Sequence, residues 1–425
     1  MLKKINLLFY FSPHKSFLFI SLFFGIIFLF VTPPFHAPDE PNHFYRAFQV
    51  SEFNSGTSPI PASLELTVSR IYSFVSPEHR QEKLQIKNIL SLLDIKLEPD
   101  NRKQTFLPGA KYSPVPYMPQ AIAIFAGKLF NASPLILMYG GRLFNLLAWS
   151  FLIYLAIKIT PVFKWVIFLL ALSPMSLFLA ASLSADCMTN GLSFLFIALV
   201  LQYAFDKTKH IRNIDLLILF LLSILMSLCK QGCLFFIIFL FLLIPLEKIG
   251  SKKKFFFIFF LLILSSIITI TLWSYYVRNY PEGVTCYALK DYISFSKQLS
   301  FICAHPSIYC QVVLHTLITN RFFYLSSFIG NLGWLDTPLP DLLIYSYFII
   351  LILVSLMDNN KDIKILLKDK LIMTAISMVN LMGILTIFYL TWTPAGGEII
   401  LGCQGRYFIP SGPLFFLLFY HDKKI

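Results

Sequence analysis

The sequence predicts an all-α polytopic membrane protein, a single integral-membrane domain over residues 1–425, from three observations. The chain is 57% hydrophobic and only 13% charged, whereas soluble domains carry about 25% charged residues. Its mean hydropathy is +0.70. Apolar runs of roughly 15–23 residues recur between short polar stretches, which is the length of a membrane-crossing helix. Backbone polar groups in hydrocarbon need internal partners, so the runs are predicted to be helices.

Ten apolar runs are predicted to span the membrane. In chain order they are Ser16–Thr32, Leu135–Ile159, Trp165–Ala181, Met188–Phe205, Ile214–Cys229, Cys233–Leu246, Phe255–Val277, Leu342–Met357, Leu371–Trp392 and Tyr407–Tyr420. Two further stretches, Tyr112–Phe130 and Gln311–Gly330, are apolar but interrupted by polar or proline residues. They are predicted to be amphipathic or re-entrant helices at the outer surface.

Basic residues cluster in alternate connections between these runs. They include Lys3, Lys4, Lys15, Lys158, Lys164, Lys207, Lys209, Arg212, Lys248, Lys252, Lys253, Lys254, Lys361, Lys364, Lys368, Lys370, Lys423 and Lys424. The positive-inside rule then predicts that both termini are cytoplasmic. Two long loops, residues 33–134 and 278–341, lie outside. The net charge of +13 follows from this pattern, so no nucleic-acid partner is expected.

The first outer loop opens with chemistry-bearing residues. Asp39 and Glu40 lie between two prolines and precede a stretch that is typical of a helix. If Asp39 begins that helix, His43 and Arg46 follow at i+4 and i+7 on the same face. The segment therefore predicts an acid, an imidazole and a guanidinium on one surface at the membrane boundary.

Further polar residues stand at the predicted outer ends of spans: Arg142, Asp186, Lys230, Trp334, Asp336, Gln404, Arg406 and Tyr407. Ionisable groups at membrane depth usually line a cavity or a substrate path. We therefore expect these residues to converge with the Asp39 segment on one outer-facing cavity.

The residue types indicate a reaction on a lipid phosphate. A carboxylate of Asp39 or Glu40 can act as a general base, or Asp39 and Asp186 can hold a divalent cation such as magnesium or manganese. Arginines and Lys230 can hold a phosphate. Structural interpretations stay open beside these: Asp39 as a helix cap, Arg142 and Lys230 as headgroup anchors, and the aromatic residues as an interfacial belt.

Four cysteines, Cys286, Cys303, Cys310 and Cys403, lie on the predicted outer side. Disulfides form readily in such compartments. Their three alternative pairings are not distinguished by the sequence.

Several segments together resemble a known family. "PPFHAPDEPNHFYRAFQVSE", "YSPVPYMPQAIAIFAGKLF", "GRLFNLL", "SLSADCMTNGLSF", "NLGWLDTPLP" and "GCQGRYFIPSGP" occur in the order typical of the bacterial membrane family called domain of unknown function 2142. The resemblance covers nearly the whole chain. That family is similar in layout to integral-membrane glycosyltransferases of the C type.

The resemblance implies a donor sugar on a polyprenyl phosphate and an acidic residue in the first outer loop as base or metal ligand. Asp39 or Glu40 would take that position, and Asp186 would be a second acidic site. From charge and side alone, Lys230 and Arg406 are expected to contact the donor phosphate. Unlike many C-type enzymes, this sequence ends soon after its tenth run, so acceptor binding is expected to depend on the outer loops or a partner.

The sequence thus predicts a glycosyltransferase in the bacterial cytoplasmic membrane. It would move sugar from a polyprenyl-phosphate donor to a cell-envelope glycan or lipid, with membrane lipids around it. Two alternatives are a flippase for lipid-linked sugars and a non-catalytic subunit of an envelope-assembly complex. The concentration of ionisable residues at one surface favours the enzyme, because transporters usually place their binding sites near the midplane.

Overall fold

The computed structural model describes residues 12–54, 56–76, 83–104, 108–230, 234–280, 292–358, 360 and 362–420. The described chain is mostly helical. Its α-helices are α1 (Pro13–Val31), α2 (Glu40–Ser51), α3 (Ala62–Val75), α4 (Ile86–Leu90), α5 (Met118–Leu129), α6 (Pro134–Ile159), α7 (Lys164–Ala171), α8 (Pro174–Ala180), α9 (Ala185–Phe205), α10 (Asn213–Cys229), α11 (Lys252–Tyr276), α12 (Phe295–Ala304), α13 (Pro306–Thr319), α14 (Arg321–Ile329), α15 (Asp341–Met357), α16 (Leu367–Trp392) and α17 (Gly412–Leu417).

Short 3₁₀ segments and two small antiparallel strand pairs complete the described structure. The 3₁₀ segments are Ser91–Asp94, Pro108–Lys111, Val115–Tyr117, Phe235–Leu243, Leu246–Lys248 and Gly405–Ser411. Strand β1 (Ile60–Pro61) pairs with β2 (Arg102–Lys103), with Ile60 opposite Lys103. Strand β3 (Asn331–Leu332) pairs with β4 (Thr337–Pro338), with Leu332 opposite Thr337.

Within the described residues, five helices are long and apolar enough to cross a membrane, and a bent pair raises the number to six. The five are α1, α6, α9, α11 and α16. Each coincides with one of the ten predicted runs, and the all-helical membrane architecture is confirmed. The total of ten spans stays a prediction.

The other five runs form shorter or interrupted elements. Two are the shorter apolar helices α10 and α15. The run Trp165–Ala181 breaks into α7 and α8 because Pro174 begins α8 and the Ser173 side chain accepts the Ser176 N–H, a helix-starting arrangement. The run Cys233–Leu246 contains a 3₁₀ segment. The run Tyr407–Tyr420 divides at Ser411 between a 3₁₀ segment that contains Pro410 and α17.

The two apolar stretches assigned to the outer surface are also short helices. Tyr112–Phe130 contains only the 12-residue helix α5 after a 3₁₀ turn. Gln311–Gly330 covers the end of α13 and all of α14. Helices α12 and α13 meet at 108°, as in a broken span or a re-entrant loop; Pro306 begins α13 at that bend.

The helices are packed around α9. Within the best membrane-length window of each helix, 72% of α9 is buried against the rest of the chain, compared with 44% of α6 and 17% of α11. Helix α9 therefore lies centrally and α11 at the periphery. The side chains at the two tips of α9 are consequently held by many neighbouring elements.

The two tips of α9 belong to chemically different ends of the molecule. At the carboxyl-terminal tip, Lys164, Lys207, Lys248 and Lys364 line one cavity; we call this the lysine end. At the amino-terminal tip lies Asp186, together with the segments predicted to be outside; we call this the loop end. Four lysine-bearing connections in the described part of the chain thus meet at one end, in line with the alternating charge pattern.

Candidate functional site

Asp39 occupies the entry to α2 in an unusual backbone conformation. It is the residue before the first turn, with φ 60° and ψ 9°, and its side chain makes no capping hydrogen bond. Left-handed backbone is uncommon for residues other than glycine, although Asp tolerates it better than most. The Asp39 side chain is exposed. Its position at the start of α2 is as predicted, but its carboxylate does not serve the helix as a cap.

The adjacent acid, Glu40, is fully buried in an ion pair with Arg142. The guanidinium Nε and Nη2 donate to the two carboxylate oxygens at 2.8 and 2.6 Å, and both side chains are 0% exposed. The remaining donations go to the carbonyl oxygens of Leu29, Thr32 and Pro33 at 2.8–3.0 Å. All five guanidinium N–H groups therefore have acceptors. The pair ties α6 to the end of α1 and the start of α2.

Glu40 also fixes the turn that begins α9. Its Oε1 accepts the N–H of Leu183 at 2.9 Å. From the other side, the amides of Asn145 and Gln120 both donate to the Ser184 carbonyl, at 3.3 and 3.2 Å. Ser184 in turn caps α9 by accepting the Asp186 N–H. The buried polar network thereby sets the position of Asp186 in the first turn of α9.

Asp186 lies between two cations that come from distant parts of the chain. Lys230 Nζ is 2.9 Å from Asp186 Oδ1, and Arg406 Nε is 3.6 Å from Asp186 Oδ2. Tyr407 completes the group: Lys230 Nζ lies 3.7 Å from the centre of its ring, a cation–π geometry. The structure therefore brings Asp186, Lys230, Arg406 and Tyr407 together; we call these four residues the Asp186 cluster.

His43 is buried beside two tyrosines of the first outer loop. Its Nδ1 lies 2.7 Å from the hydroxyl of Tyr117, and the Tyr112 ring centre is 5.9 Å from its own. Burial lowers the pKa of His43 and outweighs Asp39 and Asp186, which raise it. Burial therefore favours the neutral imidazole, which shares a hydrogen bond with the Tyr117 hydroxyl.

Arg46 lies one turn further along the same face of α2. Its Nε donates to the Tyr112 carbonyl at 3.1 Å and its Nη1 to the Asn54 carbonyl at 3.4 Å. His43 and Arg46 thus lie three residues apart within α2, both buried, while Asp39 precedes the helix and is exposed; the single surface for all three stays a prediction. Arg46 holds the loop that carries Tyr112, and sequence reasoning does not single out Tyr112 or Tyr117. The clustering of tyrosines and prolines in "YSPVPY" is the only signal that points to them.

Electrostatics connect the Asp39 segment to the Asp186 cluster. Burial lowers the pKa of Arg406, but Tyr407, Asp186 and Asp39 outweigh it and shift the pKa upward. Tyr112 is influenced by Lys230, Tyr407, Asp39 and Asp186, while burial remains the largest cause of its raised pKa. The acid at the start of α2 and the cations near Asp186 thus share one electrostatic neighbourhood.

Several buried polar atoms in and around the Asp186 cluster have no hydrogen-bond partner among the described residues. They are Arg406 Nε, Gln404 Oε1 and both amide atoms of Asn190. Asn190 is 2% exposed and follows Asp186 by one turn, on the same face of α9. Buried polar groups are normally hydrogen-bonded. These atoms are consequently available to water or to a polar ligand.

Trp334 and Asp336 lie on a separate part of the loop end. The Trp334 indole donates to the Phe35 carbonyl at 3.2 Å, and Asp336 Oδ1 is 3.8 Å from His36 Nε2. The β3–β4 hairpin therefore packs against the segment that precedes Asp39. Trp334, Tyr72, Glu65, Asn42 and Pro41 contribute to the walls of a neighbouring cavity of about 260 Å³.

The described residues do not fit the predicted divalent metal site. They contain no group of three or more His, Cys, Asp or Glu side chains arranged to hold a metal. The Asp186 carboxylate already faces Lys230 and Arg406, so a metal ion there would meet two positive charges. A metal held by Asp39 and Asp186 is therefore not supported by the geometry.

Two of the four cysteines predicted to lie outside, Cys303 and Cys310, are exposed free thiols, and Cys403 is buried. Cys303 and Cys310 therefore do not pair with each other. Cys286 lies outside the described residues.

Comparisons with known proteins identify a family and no closer relative. No curated protein and no solved structure matches the chain. One family model, described as "Predicted membrane protein", matches residues 22–415. This match includes the second half of α1, the Asp186 cluster and the segments that carry the resemblance. The chain belongs to this family of predicted membrane proteins, domain of unknown function 2142.

Proposed function

We propose that the protein is a glycosyltransferase of the bacterial cytoplasmic membrane. It transfers a sugar from a polyprenyl-phosphate donor to a cell-envelope glycan or lipid at the outer face. One observation carries the proposal: Asp39 is exposed and uncapped, and its neighbour Glu40 accepts the N–H of Leu183, three residues before Asp186, which contacts the cations Lys230 and Arg406. A base and a phosphate-binding pair are the minimum requirements for this reaction.

The Asp186 cluster suits the donor phosphate. Arg406 presents a guanidinium Nε without a hydrogen-bond partner among the described residues, and Lys230 remains 18% exposed. Asp186 keeps both cations in place before the donor binds. The Asn190 Nδ2 can donate to an oxygen of the phosphate or of the sugar, whereas Asn190 Oδ1 and Gln404 Oε1 can accept from sugar hydroxyls.

In the proposed reaction, the acceptor hydroxyl loses its proton to Asp39 while its oxygen attacks the anomeric carbon. The bond between that carbon and the phosphate oxygen breaks, and the polyprenyl phosphate leaves with the electron pair. Lys230 and Arg406 stabilise its added negative charge. A single displacement of this kind inverts the anomeric configuration. No step requires a metal ion.

Glu40 and Arg142 take structural roles in this proposal. Both have their hydrogen-bonding capacity directed into the protein and neither is exposed. We therefore assign the base to Asp39 rather than to Glu40, and the phosphate contacts to Lys230 and Arg406 rather than to Arg142.

The cavity beside Trp334 is suited to the acceptor. Aromatic side chains of Trp334 and Tyr72 line it together with the polar groups of Asn42, Ser69 and Glu65. Aromatic faces pack against the apolar faces of sugar rings, and polar groups fix orientation. Pro41 and Asn42 link this cavity to Asp39 within a few residues of chain.

The proposal is tested with the full-length protein in proteoliposomes supplied with synthetic polyprenyl-phosphate hexoses and an envelope glycan extract. Asp39→Asn should lower product formation by about 10²–10⁴-fold, the contribution of a general base, without unfolding the protein. Asp100→Asn, between α4 and β2, is the matched control, since Asp100 is also exposed. Equal product from wild type and Asp39→Asn would refute the assignment.

The same experiment separates transfer from transport. A glycosyltransferase releases free polyprenyl phosphate, which mass spectrometry detects. A flippase moves the lipid-linked sugar to the other leaflet with its phosphate bond intact. If the intact donor moves between leaflets and no polyprenyl phosphate is released, the protein is a transporter rather than a glycosyltransferase.

A further inference from the structure

A large cavity opens at the lysine end, far along α9 from the Asp186 cluster. Its volume is about 1110 Å³, well above the roughly 30 Å³ that a water molecule takes up. The walls come from the connection after α6, the end of α9, the segment before α11 and the connection after α15. Its charged lining residues are Lys164, Lys207, Lys248, Lys364, Asp206 and Asp362. Lysines outnumber acids by two.

The lysines of this cavity are incompletely neutralised. Lys248 Nζ donates to the Asp206 backbone carbonyl, while Lys164, Lys207 and Lys364 form no ion pair with any residue in the described part of the chain. The Asp206 carboxylate accepts from the N–H and the hydroxyl of Thr208 at 2.9 and 2.7 Å. The Asp206 carboxylate is therefore hydrogen-bonded within the turn that follows α9. The cavity keeps an excess of positive charge, which attracts anions.

The remaining wall is apolar. Phe205, Ala204, Pro245 and Ile363 line the same cavity, and Phe205 is the last residue of the membrane-length helix α9. The cavity therefore lies where a helix of membrane-crossing length ends. Its lysine ammonium groups stand beside apolar side chains. This combination matches a molecule that has a phosphate next to an aliphatic chain.

We propose that this cavity binds the phosphate headgroup of an anionic phospholipid, with the start of its acyl chains against Phe205 and Ile363. Basic pockets at the ends of membrane helices recognise such headgroups through the charge of lysine and arginine. A soluble phosphorylated compound would offer the same phosphate but would make no use of the apolar wall. The site is independent of the proposed transfer reaction.

The test uses the full-length protein in zwitterionic micelles titrated with phosphatidylglycerol, and native mass spectrometry counts the bound lipid. The variant Lys207→Gln/Lys364→Gln removes two exposed cavity lysines. The control Lys252→Gln/Lys253→Gln removes two exposed lysines from the start of α11, which are absent from the cavity lining. The cavity variant should bind phosphatidylglycerol about thirtyfold more weakly, since each lysine contributes about 1 kcal/mol. The control should match wild type.

Parallel arms identify the source of the phosphate. Phosphatidylcholine should not compete, and inorganic phosphate or glycerol phosphate at millimolar concentration should displace little lipid. Full displacement by the soluble phosphates would overturn the lipid assignment in favour of a soluble ligand. Equal lipid binding by the cavity variant and the control would refute the proposal that this cavity binds lipid.

Discussion

At the scale of single residues, Asp39 and Glu40 show how adjacent acids acquire opposite roles. The sequence identifies the pair and its place after the first apolar run. It does not distinguish the two, because the difference is made by Arg142, 102 residues away. The guanidinium reaches Glu40 and leaves Asp39 exposed. Sequence reasoning likewise predicts that Asp186, Lys230 and Arg406 share an end of the molecule, but not that they contact one another.

Arg142→Met should destabilise the protein severely. It leaves the Glu40 carboxylate buried without its counter-charge, which typically costs about 3–5 kcal/mol. Asp39→Asn should change the free energy of unfolding by less than about 0.5 kcal/mol, as is usual for exposed positions. Thermal unfolding in detergent, followed by intrinsic fluorescence, measures both variants. Equal stability of the two variants would contradict the structural role of the Glu40–Arg142 pair.

At the scale of elements, the structure departs most from the sequence where apolar runs are interrupted. Hydropathy correctly places α1, α6, α9, α11 and α16, because length and composition suffice for long helices. It does not show that Ser173 and Pro174 start a new helix within one run. It also gives no sign that Phe235–Leu243 forms a 3₁₀ segment. Hydropathy counts apolar residues, whereas these breaks depend on local capping and tertiary packing.

The segment that carries Arg406 depends on the small size of Gly405. A Cβ at this position would overlap the Tyr324 carbonyl and lie 2.6 Å from the Phe328 nitrogen. Gly405→Ala should therefore displace the segment, cost about 1–3 kcal/mol and weaken donor binding. Gly412→Ala is the matched control, because its nearest neighbours would be 3.5 Å away. Thermal unfolding and donor titration report the two effects, and wild-type values for both variants would contradict the expectation.

The side chain of Asp358 links the end of α15 to the start of α7. We expect it to make the stability of the protein depend on pH. Its carboxylate accepts the N–H groups of Trp165 and Val166 at the start of α7. Burial nevertheless raises its pKa from 3.8 to about 6, against the lowering effect of these bonds and of Lys164. The folded state then holds the proton more tightly than the unfolded state. The free energy of unfolding should fall as pH rises from about 4 to about 6, by about 3 kcal/mol from this group.

Denaturation measured across that pH range tests this expectation. Asp358→Asn should remove the part of the pH dependence that comes from Asp358, because an amide does not titrate. The amide oxygen can still accept the two N–H groups, so the link to α7 is kept. Asp362→Asn, a nearby exposed acid, should keep the wild-type profile. Coincident profiles for wild type and Asp358→Asn would show that Asp358 does not titrate in this window.

At the scale of the whole molecule, the two ends of the helical assembly differ in charge and in construction. The lysine end consists of short connections, and the loop end holds the strand pairs, α2–α5 and the Asp186 cluster. The alternating lysine pattern predicts this division, because the number of lysines in each connection can be read directly from the sequence. The contacts inside the loop end are not predicted, because they join segments that are distant in the chain, as in the pairing of Arg142 with Glu40 across 102 residues.

The assignment of the loop end to the outer face is tested by thiol labelling. Single cysteines are introduced as Ser69→Cys in α3 and Lys253→Cys in α11, both exposed, after the seven native cysteines are replaced by serine. A membrane-impermeant maleimide added to sealed right-side-out vesicles should label position 69 only. Position 253 should react after permeabilisation. Labelling of both positions before permeabilisation, or of position 253 alone, would reverse or abolish the predicted sidedness.

The hydrogen bonds of Arg142 also have a consequence for biosynthesis. The carbonyl of Thr32 accepts a hydrogen bond from Arg142, which is synthesised 110 residues later in the chain. A ribosome adding roughly 5–20 residues per second needs on the order of 5–20 s to cover that distance. During this interval the first helix sits in the translocation machinery with its final turn unsatisfied. Nascent chains arrested before Arg142 emerges should cross-link there to insertion factors, and chains arrested after α6 should not.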